Sequence, residues 1–401
     1  MSAERPSPGA TPDSPVPQKM TVVVVDDSTV QRRFLRTAIE ADAEFVVVGE
    51  ARNGKEAVAL VDRLRPSAVL MDLDLPVMSG IEAIERIMAS RPTPILVYSA
   101  FADGAGGANA LEALAAGAVD ILAKPGPEDT GPLEEYARQL RRKLRVAARI
   151  RVITHPRGRL RSQGLVPALV ASGPVTAQVE LVPPAALAPS PPRAPVLATP
   201  RPSAPQAELQ PNLDVRLIVI GASTGGPQAL VTVLGALPPD LTQAVLVVQH
   251  MAEGFIPGLV SWLDQLLALP VSVGASGRRL APGTITIAPS GGNLLVQDAR
   301  LRVLCVPPDP GQFHVPGIDA TFRSVADALG PDAVGVLLTG MGRDGAAGLL
   351  EMRGRGAVTL GQDEATSAVY GMPAAAAALD AIEQQLPVGE IGPALLRLVG
   401  R

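Results

Sequence analysis

Short apolar runs alternate with amphipathic segments over the first third of the chain. Unbroken apolar runs predict five strands, at Thr21–Val25, Phe45–Val48, Ala68–Met71, Ile95–Tyr98 and Val119–Leu122. Apolar positions at helical spacing predict helices around Val30–Ile39, Glu56–Leu64, Gly80–Met88 and Ala108–Ala115. Because the strand runs are continuous rather than alternating, both faces of the sheet should be buried. This region therefore predicts a five-stranded parallel α/β domain, closed by an amphipathic helix over Leu133–Arg149.

The same alternation resumes at Val215 and continues through the last part of the chain. Strands are predicted at Val215–Ile220, Ala244–Val248, Val271–Val273, Thr284–Ala288, Leu301–Val306, Ala333–Leu338 and Ala357–Leu360. Helices are predicted at Gln228–Leu237, Phe255–Leu267, Phe322–Leu329 and Ala346–Arg353. We therefore expect two doubly wound α/β domains, the second mostly parallel with an antiparallel hairpin in its middle.

Proline marks the boundaries between these regions. The 401 residues include 40 prolines, which concentrate in the first 20 positions and between Pro174 and Pro211. Proline fits neither a helix interior nor a central strand. We predict a disordered tail over 1–20, a first domain over 21–150, a Pro/Ala-rich linker over 151–213 and a second domain over 214–401. Basic residues between Arg141 and Arg161 fit a solvated helix face entering the linker, with a nucleic-acid arm as the weaker alternative.

The composition argues against several classes of protein. A single cysteine, Cys305, allows no internal disulfide and no multi-thiolate metal site, which fits a reducing compartment. The N-terminus has no apolar signal region, and no run of about 18 apolar residues is free of proline and charge. The net charge of −4 disfavours general nucleic-acid binding. We expect a cytoplasmic protein that does not insert into membranes.

Polar side chains follow the predicted strands of the first domain at one edge. Asp26 and Asp27 follow the first strand, Asp72 the third, Ser99 the fourth and Lys124 the fifth. The carboxyl ends of parallel strands meet at one edge, so these groups should lie together. Three adjacent carboxylates favour a hard divalent cation, most simply Mg²⁺. A lysine and a hydroxyl beside them suit a phosphoryl group, although either of the paired aspartates alone could be a helix cap.

This arrangement resembles the response-regulator receiver domain over roughly Thr21 to Ala147. The resemblance implies that Asp72 accepts phosphate from a histidine kinase. It further implies that Asp26, Asp27 and Asp72 hold Mg²⁺, and that Ser99 and Lys124 contact the phosphoryl group.

A candidate nucleophile lies at the start of the second domain. Gly221–Gly225 matches Gly-x-Ser-x-Gly, in which Ser223 is exposed on a sharp strand–turn–helix. Backbone N–H groups after the serine, beginning with that of Thr224, can stabilise an oxyanion. Phosphate-binding glycine loops look similar, but this segment lacks their glycine spacing and the Walker lysine.

A serine nucleophile needs a base and a carboxylate that orients it. Of the three histidines, His250 follows a strand on the edge that carries the serine, whereas His155 enters the linker and His314 lies in an irregular segment. Asp344 emerges at the same edge on a glycine-rich turn. Asp319 and Asp363 are rivals that follow less clear strands.

Four motifs together resemble the chemotaxis protein-glutamate methylesterases of the CheB family. They are Ile220–Pro227, Gln249–Met251, Leu338–Gly345, and Gln362–Glu364 with Gly371–Pro373. The resemblance implies a Ser223–His250–Asp344 triad and an oxyanion site near Met341. It implies removal of methyl esters from glutamates of chemoreceptor cytoplasmic domains, and deamidation of receptor glutamines, with no cofactor for the esterase step. Where the family commonly has His-Arg-Pro-Ser-Val-Asp, residues 314–319 read His-Val-Pro-Gly-Ile-Asp, which affects substrate contacts.

Two alternatives remain at this point. The same triad could serve a receiver-controlled esterase or amidase whose substrate is not a chemoreceptor, or the second half could be a non-catalytic docking module. In the lead hypothesis the receiver covers the catalytic site of the second domain until Asp72 is phosphorylated. We also expect the chain to be a monomer.

Overall fold

The computed structural model describes residues 19–99, 105–125, 133–150, 211–252, 254–312 and 314–401. The predictions for most of the tail and linker lie outside these residues. The first domain is a parallel sheet of five strands in the order β2-β1-β3-β4-β5. Its strands are β1 (Met20–Val25), β2 (Phe45–Ala51), β3 (Ala68–Met71), β4 (Ile95–Ser99) and β5 (Asp120–Ala123). Its helices are α1 (Thr29–Glu40), α2 (Gly54–Leu64), α3 (Gly80–Ser90), α4 (Ala105–Ala115) and α5 (Leu133–Ala147).

The first three helices begin at polar caps that fix where each strand–helix turn ends. The side chains of Ser28, Asn53 and Ser79 accept hydrogen bonds from the backbone three residues on. Such caps satisfy N–H groups that have no partner inside the helix. The turn after β1 is short, since α1 begins at Thr29, and it holds Asp26 and Asp27 at the strand end.

The second domain is built on seven strands, all of whose neighbours pair in parallel, in the order β14-β13-β12-β6-β7-β9-β8. The strands of this sheet are β6 (Leu217–Ala222), β7 (Ala244–Gln249), β8 (Val271–Val273), β9 (Ile285–Ile287), β12 (Ala333–Leu337), β13 (Val358–Gln362) and β14 (Gln384–Leu386). β10 (Asn293–Val296) and β11 (Val303–Val306) form an antiparallel hairpin that is a separate two-stranded sheet. The helices are α6 (Gly226–Leu234), α7 (Phe255–Leu266), α8 (Ile318–Leu329), α9 (Ala346–Gly354), α10 (Met372–Ala378) and α11 (Val388–Leu398). The expectation of two doubly wound α/β domains, the second mostly parallel, is confirmed.

Some element boundaries differ from those expected from sequence. The strand expected to begin at Leu301 begins at Val303, because Leu301 has a positive φ of 62° and its N–H closes a turn onto Asp298. β10 and β14 were not predicted. Both are short, and β14 consists largely of Gln384 and Gln385, which carry no β-branched signal.

The two domains pack against each other. Helix α4 of the first domain lies against α7 of the second, and Gln228 Nε2 on α6 donates to the carbonyl of Leu114 at 2.6 Å. Buried apolar side chains of both domains form one continuous cluster at this boundary. Helices α6 and α7 of the second domain therefore face the first domain.

Within the part of the chain that the structure describes, no helix combines the length and apolar character needed to cross a membrane.

Candidate active site and phosphorylation site

The three aspartates of the first domain meet at one edge of its sheet. β1 pairs with both β2 and β3, so the ends of β1 and β3 are adjacent. One carboxylate oxygen from each of Asp26, Asp27 and Asp72 lies within 4.8 Å of the others. Asp26 and Asp72 are buried, whereas Asp27 is exposed. The site is therefore open to solvent at Asp27 and closed to it at Asp26 and Asp72.

Lys124 joins two of these carboxylates. Its Nζ lies 2.7 Å from Asp72 Oδ2 and 3.1 Å from Asp26 Oδ2, and 5.1 Å from the centre of the Tyr98 ring. Burial raises the pKa of Asp72, although Lys124 opposes that shift. Burial would lower the pKa of Lys124, but Asp72 and Asp26 raise it overall. The lysine is therefore held charged against the aspartates.

The donor set of this edge fits a magnesium ion. Three carboxylates face a single lysine, which leaves excess negative charge, and carboxylate oxygens are the ligands that Mg²⁺ prefers. Ser99 is buried at the end of β4, where its carbonyl accepts the N–H of Lys124 at 2.8 Å. The structure thus brings all five predicted groups to one edge, while Asp74 is exposed on the following turn.

Ser223 lies on the turn between β6 and α6, beside His250. β6 and β7 pair so that Ala222 is opposite Gln249, which places Ser223 and His250 next to each other at adjacent strand ends. Gly225 takes a φ of 77°, a left-handed conformation that a side chain would strain. The Ser223 N–H donates to the Thr339 carbonyl at 3.0 Å. Ser223 is therefore held by the main chain, in a site where it is 9% exposed.

Asp344 fixes the imidazole of His250. Asp344 Oδ2 lies 2.8 Å from His250 Nε2, and its two oxygens accept the N–H groups of Ile318 and Asp319 at 2.9 Å, at the start of α8. Burial would raise the pKa of Asp344, but the bond to His250 and these N–H groups lower it overall. His250 Nδ1 is buried and has no hydrogen-bond partner among the described residues. It is the ring nitrogen left to accept a proton.

Candidate oxyanion donors lie beside the serine. Because the Ser223 N–H is bound to Thr339, it is not free to stabilise an oxyanion. The N–H groups of Thr224 and Met341 donate to no acceptor among the residues that the structure describes. Both residues line a cavity of about 570 Å³ that Ser223 and His250 also line.

Comparisons with known proteins match both halves of the chain. A response regulator receiver domain model matches residues 22–132, and a CheB methylesterase model matches residues 218–395. A protein-glutamate methylesterase/protein-glutamine glutaminase of Paramagnetospirillum magneticum is 40% identical over 96% of this chain and 98% of its own. One from Anaeromyxobacter dehalogenans is 40% identical over 94% of this chain and 96% of its own.

The chain belongs to the CheB methylesterase family. Among solved structures, the catalytic domain of the Thermotoga maritima CheB methylesterase covers 46% of this chain and 99% of its own, at 31% identity and a TM-score of 0.45.

The two rival carboxylates of this CheB-family chain make other contacts. Asp319 accepts the N–H of Gly348 at 2.7 Å, which joins α8 to α9. Asp363 accepts the N–H and hydroxyl of Thr366, at 3.0 and 2.6 Å, in a tight turn. Asp344 is the carboxylate that the structure brings to His250.

The sequence does not predict the position of His314, which lies in an irregular segment. Its ring stacks on that of His250, with centroids 4.5 Å apart and an angle of 9° between the planes. Burial, together with the charges of His250, Arg142 and Lys143, lowers the pKa of His314 to about 4. The available signal was its position as the first residue of a segment that resembles a CheB motif.

Asp120, at the start of β5, was also missed. Its Oδ2 accepts the hydroxyl of Thr224 at 2.8 Å and lies 2.8 Å from Lys143 Nζ on α5. A receiver carboxylate therefore contacts Thr224, the residue next to Ser223. No pattern in the sequence indicates this contact, because it depends on how the two domains dock.

Proposed function

We propose that this chain is a receiver-regulated protein-glutamate methylesterase and protein-glutamine glutaminase that acts on chemoreceptors. The observation that carries the proposal is the convergence of Ser223, His250 and Asp344 at one edge of the catalytic sheet, in a chain 40% identical over nearly its whole length to enzymes so named. A docking module would not need a half-buried imidazole held by a half-buried carboxylate beside a serine.

In the first step Ser223 Oγ attacks the carbonyl carbon of the glutamate methyl ester. His250 Nδ1 takes the hydroxyl proton, while Nε2–H remains bonded to Asp344, which stabilises the resulting imidazolium. The N–H groups of Thr224 and Met341 stabilise the oxyanion of the tetrahedral intermediate. Each such donor typically contributes about 10²–10³-fold to the rate.

Collapse of the intermediate breaks the bond from carbon to the methoxy oxygen. His250 returns its proton to that oxygen, so methanol leaves and an acyl-serine remains. Water then attacks the acyl carbon while Nδ1 takes its proton. The bond from the acyl carbon to Ser223 Oγ breaks, His250 returns the proton to Oγ, and glutamate is released. With a glutamine side chain the same steps release ammonia instead of methanol.

The receiver inhibits this site by covering it. Ile121, Lys124 and Arg142 of the receiver line the same cavity as the catalytic serine. The contact of Asp120 with Thr224 and that of Gln228 with Leu114 hold the domains together. Transfer of phosphate from a histidine kinase to Asp72, with Mg²⁺ on the neighbouring carboxylates, would replace the pairing of Asp72 with Lys124 and shift the population to an open arrangement.

The direct test is methanol release from methylated chemoreceptor cytoplasmic domains. We expect Ser223→Ala to reduce kcat by about 10⁶-fold. Ser272→Ala, an exposed serine on β8, is the matched control and should retain wild-type turnover. Release of methanol by Ser223→Ala at the wild-type rate would overturn the assignment. Turnover only on another methylated protein would instead favour a different substrate for the same triad.

A further inference from the structure

Gln249 is a buried amide at the end of β7, immediately before the candidate base. It is 1% exposed. Its Nε2 donates two hydrogen bonds of 2.9 Å, one to the carbonyl of Ser223 and one to the carbonyl of His250. A single NH₂ group therefore joins the backbone of the proposed nucleophile to that of the proposed base.

The loop around Ser223 has room for this amide because residue 226 is a glycine. A side chain on Gly226 would come within 2.1 Å of Gln249 Oε1, so the approach of the amide requires glycine there. The Ser223 carbonyl also accepts the N–H of Gly226 at 2.8 Å, which closes the turn. The Ser223 carbonyl thus accepts two hydrogen bonds, one from the Gln249 amide and one from the Gly226 N–H.

The carbonyl of His250 would lose its hydrogen bond to Gln249 if the amide were removed. The N–H of His250 is bonded to the Ala222 carbonyl at 2.9 Å, and its carbonyl is bonded to Gln249. Gln249 Oε1 is buried without a hydrogen-bond partner among the described residues. Burying an unpaired polar oxygen costs free energy. The favourable contribution of the Gln249 amide therefore comes from its two N–H donors.

We propose that Gln249 is the positioning residue that sets the distance and angle between Ser223 and His250 for the reaction. The proposal rests on the proposed function, since it assumes that these two residues react. Gln249 touches neither substrate nor the reacting atoms and acts through the two carbonyls that it bridges. Without the bridge the His250 N–H still binds the Ala222 carbonyl, but the carbonyls of Ser223 and His250 lose the group that fixes them relative to each other. A displacement of about 1 Å between reacting groups can cost about 10²-fold in rate.

The test compares kcat and KM for methanol release by the full-length chain carrying Gln249→Met, with a phosphoryl donor and Mg²⁺ present. Methionine has a similar length and no donor. We expect kcat to fall by about 10–100-fold, with KM changed less than twofold, and the rate of Ser223 labelling by a fluorophosphonate to fall by the same factor. Gln249→Asn, which keeps the amide but cannot span both carbonyls, should show the same split if the methionine variant fails to fold.

Gln243 offers a matched control. It is also buried and adjoins the same strand at the opposite end, where its Nε2 donates to the Val215 carbonyl at 3.2 Å. Gln243→Met should therefore change melting temperature without changing kcat by more than twofold.

Three results would overturn the proposal: wild-type kcat in both Gln249 variants, an equal loss of kcat in Gln243→Met, or a loss confined to KM. Failure of the proposed function would look different, because wild-type protein would then release no methanol, or Ser223→Ala would retain activity.

Discussion

Each domain has one functional edge, at the same topological position in its sheet, and the two edges carry different chemistry. In the receiver, Asp26 and Asp72 follow β1 and β3, between which the strand order reverses; in the catalytic domain, Ser223 and Asp344 follow β6 and β12, at the corresponding reversal. The receiver edge gathers three carboxylates around one lysine. The catalytic edge has a hydroxyl, an imidazole and one carboxylate that is already satisfied by backbone N–H groups.

This difference explains what each edge can do. A cluster of carboxylates with excess negative charge is suited to a divalent cation and a phosphoryl group, and its charge changes on phosphorylation. An imidazole with one ring nitrogen bonded to a carboxylate is suited to moving a proton. The fold positions both sites, and the residue types at the strand ends decide the chemistry.

The same substitution at the two edges should have different consequences, and the larger effect lies at the catalytic edge. We predict that Asp344→Asn reduces kcat for methanol release by about 10⁴-fold, because asparagine no longer holds the His250 tautomer that leaves Nδ1 free. Asp363→Asn, the rival carboxylate, should stay near the wild-type rate. A strong loss in Asp363→Asn with activity in Asp344→Asn would reverse the assignment.

At the receiver edge, Asp72→Asn should remove the whole increase in methanol release that a phosphoryl donor and Mg²⁺ produce. The acceptor carboxylate is gone, whereas Ser223, His250 and Asp344 remain in place. Chelation of Mg²⁺ should remove the same increase from wild-type protein. An increase that survives in Asp72→Asn would show that the response does not depend on this edge.

The contact between the edges should have a smaller effect. We predict that Asp120→Ala raises unstimulated methanol release by about two- to tenfold, because it removes a hydrogen bond between the domains, and such a bond contributes about 0.5–1.5 kcal/mol. Asp62→Ala, on the distant α2 helix, is the control and should leave the rate unchanged. A lower rate in Asp120→Ala would contradict inhibition by the closed arrangement.

The smallest expected effect concerns His314. Its pKa of about 4 lies below the value of about 6.5 for an unperturbed histidine, so the folded protein favours the neutral ring. This contribution to stability is present above pH 6.5 and is lost as pH falls toward 4. Titration of the histidine resonances by NMR should show one group near pH 4 that is absent in His314→Phe. Arg142→Ala should raise that pKa slightly; an unperturbed titration near 6.5 in wild-type protein would contradict the half-buried, stacked geometry.

Much of this comparison could be read from the sequence. Asp72 and Ser223 follow unbroken apolar runs, and such runs locate strand ends reliably because a strand buried on both faces allows little else. The stacking of His314 and the contact of Asp120 with Thr224 could not be predicted, since each depends on how distant segments dock. Gln249 lay within a recognised motif, but its two hydrogen bonds follow from the register of β6 and β7, which the sequence does not specify.

The central claim is that Ser223 is a nucleophile whose access is controlled by phosphorylation of Asp72. Its most direct test is the rate at which a fluorophosphonate labels Ser223 in wild-type protein and in Asp72→Asn, with and without a phosphoryl donor and Mg²⁺. We predict labelling of Ser223 that accelerates with the donor in wild-type protein only. Labelling at another residue, or a rate that the donor leaves unchanged in wild-type protein, would contradict the claim.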